Sequence, residues 1–118
     1  MIDLFKNYKL NFISNRMNKI IMKWSSEQLY DARLQADASV AEHLLCDLEG
    51  VQKTDLTTVP LLLIDTAGCD LYELETPEEE SKGNEGETEV VVQHVEALIS
   101  SGVKHRDIGI ITPYNLQV

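Results

Sequence analysis

The chain has 118 residues, one domain's worth, with 43% hydrophobic and 25% charged residues. Ten Lys and Arg against twenty Asp and Glu give a formal net charge of -10, which argues against a free-standing nucleic-acid binder, since phosphate contacts need a basic face. The length excludes a two-domain enzyme with a cleft between its domains, and no apolar run approaches the roughly 20 residues of a membrane span.

Residues 1–15 show no clear period and are expected to be a poorly ordered lead-in. With residues up to Lys23 they carry five basic residues against Asp3, a local +4 in an otherwise acidic chain. They lack the apolar core and cleavage site of a secretory signal, and Arg and Ser are too few for a transit peptide. Residues 16–30 follow an i, i+3, i+4, i+7 pattern through Met17, Ile20, Ile21 and Trp24, which predicts a helix with one apolar stripe. Residues 37–46 (DASVAEHLLC) predict a short helix capped by Asp37 or Ser39, with Val40, Leu44 and Leu45 facing inward. Residues 48–58 read as a polar connector.

Residues 59–65 (VPLLLID) form a continuous apolar run, and Pro60 stands at its start. That pattern predicts a strand buried on both faces, as in parallel sheets. Residues 66–86 follow as a long acidic loop. Eight glutamates and Lys82 lie between Glu73 and Glu89. Residues 87–101 (ETEVVVQHVEALISS) predict the clearest helix, with Val91, Val95, Leu98 and Ile99 on one face and Gly102 as the stop. Residues 108–112 (IGIIT) predict a second buried strand. Thr112-Pro113 then looks like an N-cap and the first residue of another helix. The order gives an α/β fold with helices on a small parallel sheet. Ligands in such sheets sit beyond the carboxyl ends of the strands, here at Asp65-Thr66 and Thr112-Pro113.

The string LLLIDTAG, ending at Gly68, resembles the D-x-x-G motif of small GTPases. That reading needs an upstream G-x-x-x-x-G-K-[ST] cradle, and the chain contains none. Nor does it contain N-K-x-D. Asp65 is therefore read as a strand-end residue whose carboxylate caps nearby backbone N–H groups. The acidic loop matches no calcium-loop spacing and reads as a solvated segment. His43 and Cys46 are two groups where a metal site needs three or four, so they read as core or surface residues. Cys46 and Cys69 lie far apart, which is no disulfide framework and fits a reducing compartment. His94 and His105 have no nucleophile at a suggestive spacing. Thr112-Pro113-Tyr114 is open between a phosphate contact and a plain N-cap.

Four strings in order carry a resemblance: RMNKIIMKWSSEQLY, VPLLLIDTAGC, SKGNEGETEVVVQHVEALISSGV and DIGIITPYNLQV. Together they resemble superfamily 1 helicases of the Upf-like branch, the immunoglobulin-mu-binding helicases in particular. The resemblance runs from Arg16 to Val118, 103 of 118 residues. It implies an incomplete RecA-like (P-loop NTPase-type) domain over residues 16–118, the second of two in an ATP-driven helicase that moves 5′ to 3′ on single-stranded RNA or DNA. ATP and Mg2+ are the implied cofactors of the intact enzyme, with neither expected to bind tightly to this chain alone. The implied partners are the nucleic acid and a first RecA-like domain that carries the phosphate loop and the magnesium-binding acids; no membrane is implied. The implied compartment is nuclear, cytoplasmic or both.

Residue by residue, Arg16 matches the family arginine that reaches the γ-phosphate, a catalytic and nucleotide-binding role. A guanidinium suits it by stabilising charge on the transferring phosphoryl group. Asn15 stands where the family has the tyrosine that stacks near the adenine, and Ser14 and Asn18 replace its glutamine and histidine. Glu87 matches the glutamate that contacts the nucleotide ribose. Thr112, Tyr114 and Gln117 match a T-P-Y-x-x-Q string beside the nucleic-acid track. Residues 1–15 fall outside the resemblance and are expected to derive from intron-like sequence or an aberrant gene model. The competing expectation is a non-enzymatic fragment or interaction module without ATPase activity of its own.

Overall fold

A computed structural model of the chain describes residues 12–74 and 81–114. Most of the expected lead-in (residues 1–11), the acidic stretch 75–80, and residues 115–118, with Gln117 and the expected last helix, lie outside the described residues. The chain divides into two compact units, Met1–Leu44 and Leu45–Val118.

The first unit holds a β-α-β arrangement. Strand β1 (Ile13–Ser14) pairs in parallel with β2 (Gln35–Ala36), Ile13 opposite Gln35. The Gln35 N–H donates to the Phe12 carbonyl at 2.7 Å, and the Asp37 N–H to that of Ser14 at 2.9 Å. Parallel neighbours need a long crossover, and helix α1 (Lys19–Leu29) supplies it. Two features trim α1 relative to the predicted span of 16–30. Asn18 caps it, its side-chain oxygen accepting the Ile20 N–H at 2.9 Å. Past Leu29 the backbone turns to positive φ at Asp31 and Ala32, where a helix cannot continue.

The buried face of α1 also differs from the expected stripe. Met22 (5% exposed) and Ser26 are its buried residues, while Ile20, Ile21 and Trp24 are exposed. Ser26 is drawn inward because its hydroxyl donates to the Leu34 carbonyl at 2.9 Å. The Asn18 amide donates to the His43 carbonyl at 3.0 Å, so the helix start is tied to the chain that follows β2.

The short helix predicted over 37–46 does not form; turns and a single 3₁₀ turn, Leu45–Asp47, stand there. The cause is local. The Asp37 carboxylate accepts both the backbone N–H (2.9 Å) and the hydroxyl (2.6 Å) of Ser39. This Asx turn competes with the helical ladder.

In the second unit the expected polar connector is a closed knot around Thr57, which is 0% exposed. Its hydroxyl donates to the Gln52 carbonyl at 2.7 Å and accepts the Thr54 N–H at 2.8 Å. Helix α2 (Glu85–Ser100) starts two residues before the predicted Glu87, because Asn84 is its cap. It ends as expected at Gly102, whose φ is +99. The Gly102 N–H donates to Ile99 and the Val103 N–H to Leu98, a Schellman closure that seats Val103 (3% exposed) in the core.

Neither run expected to be a strand in this unit, 59–65 or 108–112, forms a ladder among the described residues. Apolarity signals a need for burial, whereas a strand is defined by a hydrogen-bonded neighbour. Both runs stay largely exposed, with only part of each facing α2. Ile64 and Ile108–Ile111 border a cavity of about 550 Å³ whose helical wall includes Val91, Val95 and Leu98. The small parallel sheet of this α/β fold is therefore the β1–β2 pair. No helix among the described residues is long and apolar enough to cross a membrane.

Candidate functional site

The second unit carries a cavity of about 530 Å³ at the start of α2. Three stretches far apart in sequence meet around it: the loop from Thr66, the turn from Lys82 to Glu87, and Thr112 to Tyr114. Glu87, Thr112 and Tyr114, all singled out from the sequence, line this one cavity. Gln117 lies outside the described residues. Arg16 belongs to the first unit, exposed, two residues ahead of the α1 cap Asn18.

Each wall is fixed by local chemistry. The Asp65 carboxylate accepts the Ala67 N–H at 2.9 Å, the backbone-capping role expected of it. Gly68 follows with φ +79, which turns the loop around the cavity. The same loop then docks on the start of α2. Leu74 and Gly83 form an antiparallel bridge, with Leu74 N–H donating to Gly83 at 2.7 Å. The Leu71 carbonyl accepts from the Asn84 amide at 3.2 Å. The Leu71 side chain fills the place of a Cβ at Gly86, with Cδ2 2.5 Å from that position.

Asn84 is buried and works in two directions: its amide donates to Leu71, and its oxygen accepts the Glu87 N–H at 3.0 Å. The Glu87 side chain leans back towards the loop, and the Thr66 hydroxyl donates to its Oε1 at 3.0 Å. A carboxylate in the first turn of a helix is favoured by the exposed N–H groups there. At the opposite wall the Thr112 hydroxyl accepts the Tyr114 N–H at 3.3 Å, the geometry of an N-cap.

Asp70, Glu73 and Glu87 line the cavity with Lys82, and Lys82 pairs with Glu73 at 2.7 Å. The cap of α2 is occupied by Asn84, and its first turn already holds Glu85 and Glu87. This setting disfavours a phosphate and suits a neutral, hydroxyl-bearing group that donates to a carboxylate.

The sequence places Thr66 at a candidate ligand end but does not show its bond to Glu87, and it leaves Asn84 out. N-x-x-E over Asn84 to Glu87 is a capping signal that the sequence does carry. The Thr66–Glu87 bond has no such signal, since the two residues lie 21 apart in sequence. His43 and Cys46 do not join a metal cluster: no group of three or more His, Cys, Asp or Glu able to hold a metal occurs among the described residues. Cys46 and Cys69 are free thiols.

Comparison with known proteins adds to this geometry. A family model described as an AAA domain matches residues 6–118. The chain is 54% identical over 106 residues to DNA-binding protein SMUBP-2 of Rattus norvegicus, covering 90% of this chain and 11% of that protein. It is 43% identical over 115 residues to DNA polymerase alpha-associated DNA helicase A of Saccharomyces cerevisiae, covering 90% of this chain and 16% of the relative. An uncharacterized ATP-dependent helicase of Methanocaldococcus jannaschii is 31% identical over 112 residues, with 90% and 16% covered. The chain thus spans between about a tenth and a sixth of the length of these relatives.

Proposed function

The chain belongs to the AAA domain family, on its superfamily 1 helicase branch, and from that membership we propose that it forms part of the second RecA-like domain of an ATP-dependent helicase moving 5′ to 3′. Residues 16–118 are the core of the domain portion, and the family match reaches back to residue 6 and takes in β1. The observation that carries this reading is the single cavity lined by Glu87, Thr112 and Tyr114.

In this reading Glu87 accepts hydrogen bonds from the ribose hydroxyls of ATP. Its carboxylate is held at the start of α2 by the Asn84 cap and the Thr66 hydroxyl. Thr112, Tyr114 and Gln117 serve the single-stranded nucleic acid, RNA or DNA. Arg16 supplies a guanidinium to the γ-phosphate, as its place in the R-M string implies. A first RecA-like domain contributes the phosphate loop and the acids that hold Mg2+. These 118 residues contain no G-x-x-x-x-G-K-[ST] string, so on their own they bind ATP and Mg2+ weakly and do not hydrolyse ATP. The protein works in the nucleus, the cytoplasm or both, with no membrane partner.

The test is a chimera. The stretch of the yeast helicase that matches this chain is exchanged for residues 16–118, and unwinding is measured on duplexes with a 5′ or a 3′ single-stranded tail. Unwinding of the 5′-tailed duplex, lost on Arg16→Ala, is the expected result. A stable, folded chimera that hydrolyses no ATP and unwinds neither duplex contradicts the reading.

A further inference from the structure

We infer that Thr66 is a positioning residue: its hydroxyl holds the Glu87 carboxylate in the orientation that presents its second oxygen to the cavity. The inference rests on the ribose-contact reading of Glu87 and adds the residue that makes the contact selective.

A glutamate on an exposed helix turn has three rotatable side-chain bonds, and fixing them opposes binding. Here both ends of the restraint are built in. Thr66 is β-branched and stiff about its first side-chain bond, and it sits inside the turn closed by the Asp65 carboxylate on the Ala67 N–H. Glu87 has its backbone pinned by Asn84. The hydroxyl-to-Oε1 bond of 3.0 Å joins the two across 21 residues of sequence. It engages one carboxylate oxygen and leaves Oε2 as an acceptor. Both residues line the same cavity. A diol approaching there meets a carboxylate already oriented, with the Thr66 oxygen as a second acceptor beside it.

The test uses the 118-residue chain in solution. Three-bond couplings report the Glu87 side-chain rotamers in the wild type, Thr66→Ser, Thr66→Val and Thr66→Ala. Each protein is then titrated with adenosine and with 2′,3′-dideoxyadenosine. The wild type and Thr66→Ser are expected to show one dominant Glu87 rotamer and to prefer adenosine. Thr66→Val and Thr66→Ala are expected to average the rotamers and to lose about tenfold in that preference. Identical Glu87 rotamers in the wild type and both hydroxyl-lacking variants overturn the inference. A rotamer change in the hydroxyl-lacking variants, with a wild type that binds the two nucleosides equally, supports the Thr66 restraint and overturns the ribose contact, so the two failures are separable.

Discussion

Gly102 meets Gly50 backbone to backbone: a Cβ built on Gly102 would collide with the Gly50 carbonyl oxygen and lie 3.2 Å from the Val51 Cα. The same residue has φ +99, and the adjoining Ser101 carbonyl accepts the Gln52 N–H at 2.7 Å. The end of α2 is thereby clasped to the turn around Gly50. Left-handed strain and the clash with backbone act together, so Gly102→Ala is expected to lower stability on the order of 3 kcal/mol. Gly109 has open space around its Cβ position, so Gly109→Ala is expected to stay within about 0.5 kcal/mol. Urea denaturation of the two variants checks the contrast.

Asn84 holds both the helix start and the Leu71 loop. Asn84→Ala removes the cap and leaves the Leu71 carbonyl short of a donor, at a cost of about 2 kcal/mol. Asn84→Asp keeps the acceptor for the Glu87 N–H but sets a carboxylate oxygen against the Leu71 carbonyl, so it preserves the cap and weakens the loop contact. Amide hydrogen exchange at Glu87 should quicken in the alanine variant and change little in the aspartate variant.

Asp37 gives a pH signal in the first unit. The Ser39 hydroxyl, and then the Ser39 N–H, stabilise its ionised form and hold its carboxyl below the ordinary value of 3.8. A folded-state value depressed in this way adds stability above the ordinary value. That stability is lost as pH falls through the folded one. Carboxyl carbon NMR is expected to show Asp37 titrating below the ordinary range. Ser39→Ala removes the hydroxyl bond and should return it upwards, and an unchanged titration would contradict the Ser39 hydroxyl as the main cause.

The apolar run after Pro60 and the one before Thr112 leave Leu63 at 88% and Ile111 at 96% exposure. Apolar surface of this kind promotes association. The isolated chain is expected to self-associate as its concentration rises, and Leu63→Lys with Ile111→Lys to reduce this with little change in stability. Sedimentation of the two proteins at matched concentrations measures it.

What was legible in the sequence is what is encoded locally. The apolar spacing of α2, its stop at Gly102, and the Asp65 cap follow from residues within a turn of one another. The Asn84 cap is equally local, and it shifts the helix start by two residues. The helix predicted after Asp37 fails for another local reason, the Asp37–Ser39 turn. Strand assignment fails differently. VPLLLID and IGIIT carry the composition of buried strands, yet pairing depends on a neighbour that composition does not name. The parallel pair forms instead between Ile13–Ser14 and Gln35–Ala36, two short segments with no strand-like pattern. At the site, motif resemblance singled out Glu87, Thr112 and Tyr114 but not Thr66, whose contact with Glu87 exists only in three dimensions.

The most direct measurement compares the KM for ATP with that for 2′,3′-dideoxy-ATP in the yeast-helicase chimera carrying residues 16–118, with and without Glu87→Gln. A carboxylate that accepts from the ribose hydroxyls predicts a preference for ATP of about tenfold or more, lost in Glu87→Gln. An equal preference in both proteins would contradict the assignment of Glu87, and with it the reading of this cavity as part of a nucleotide site.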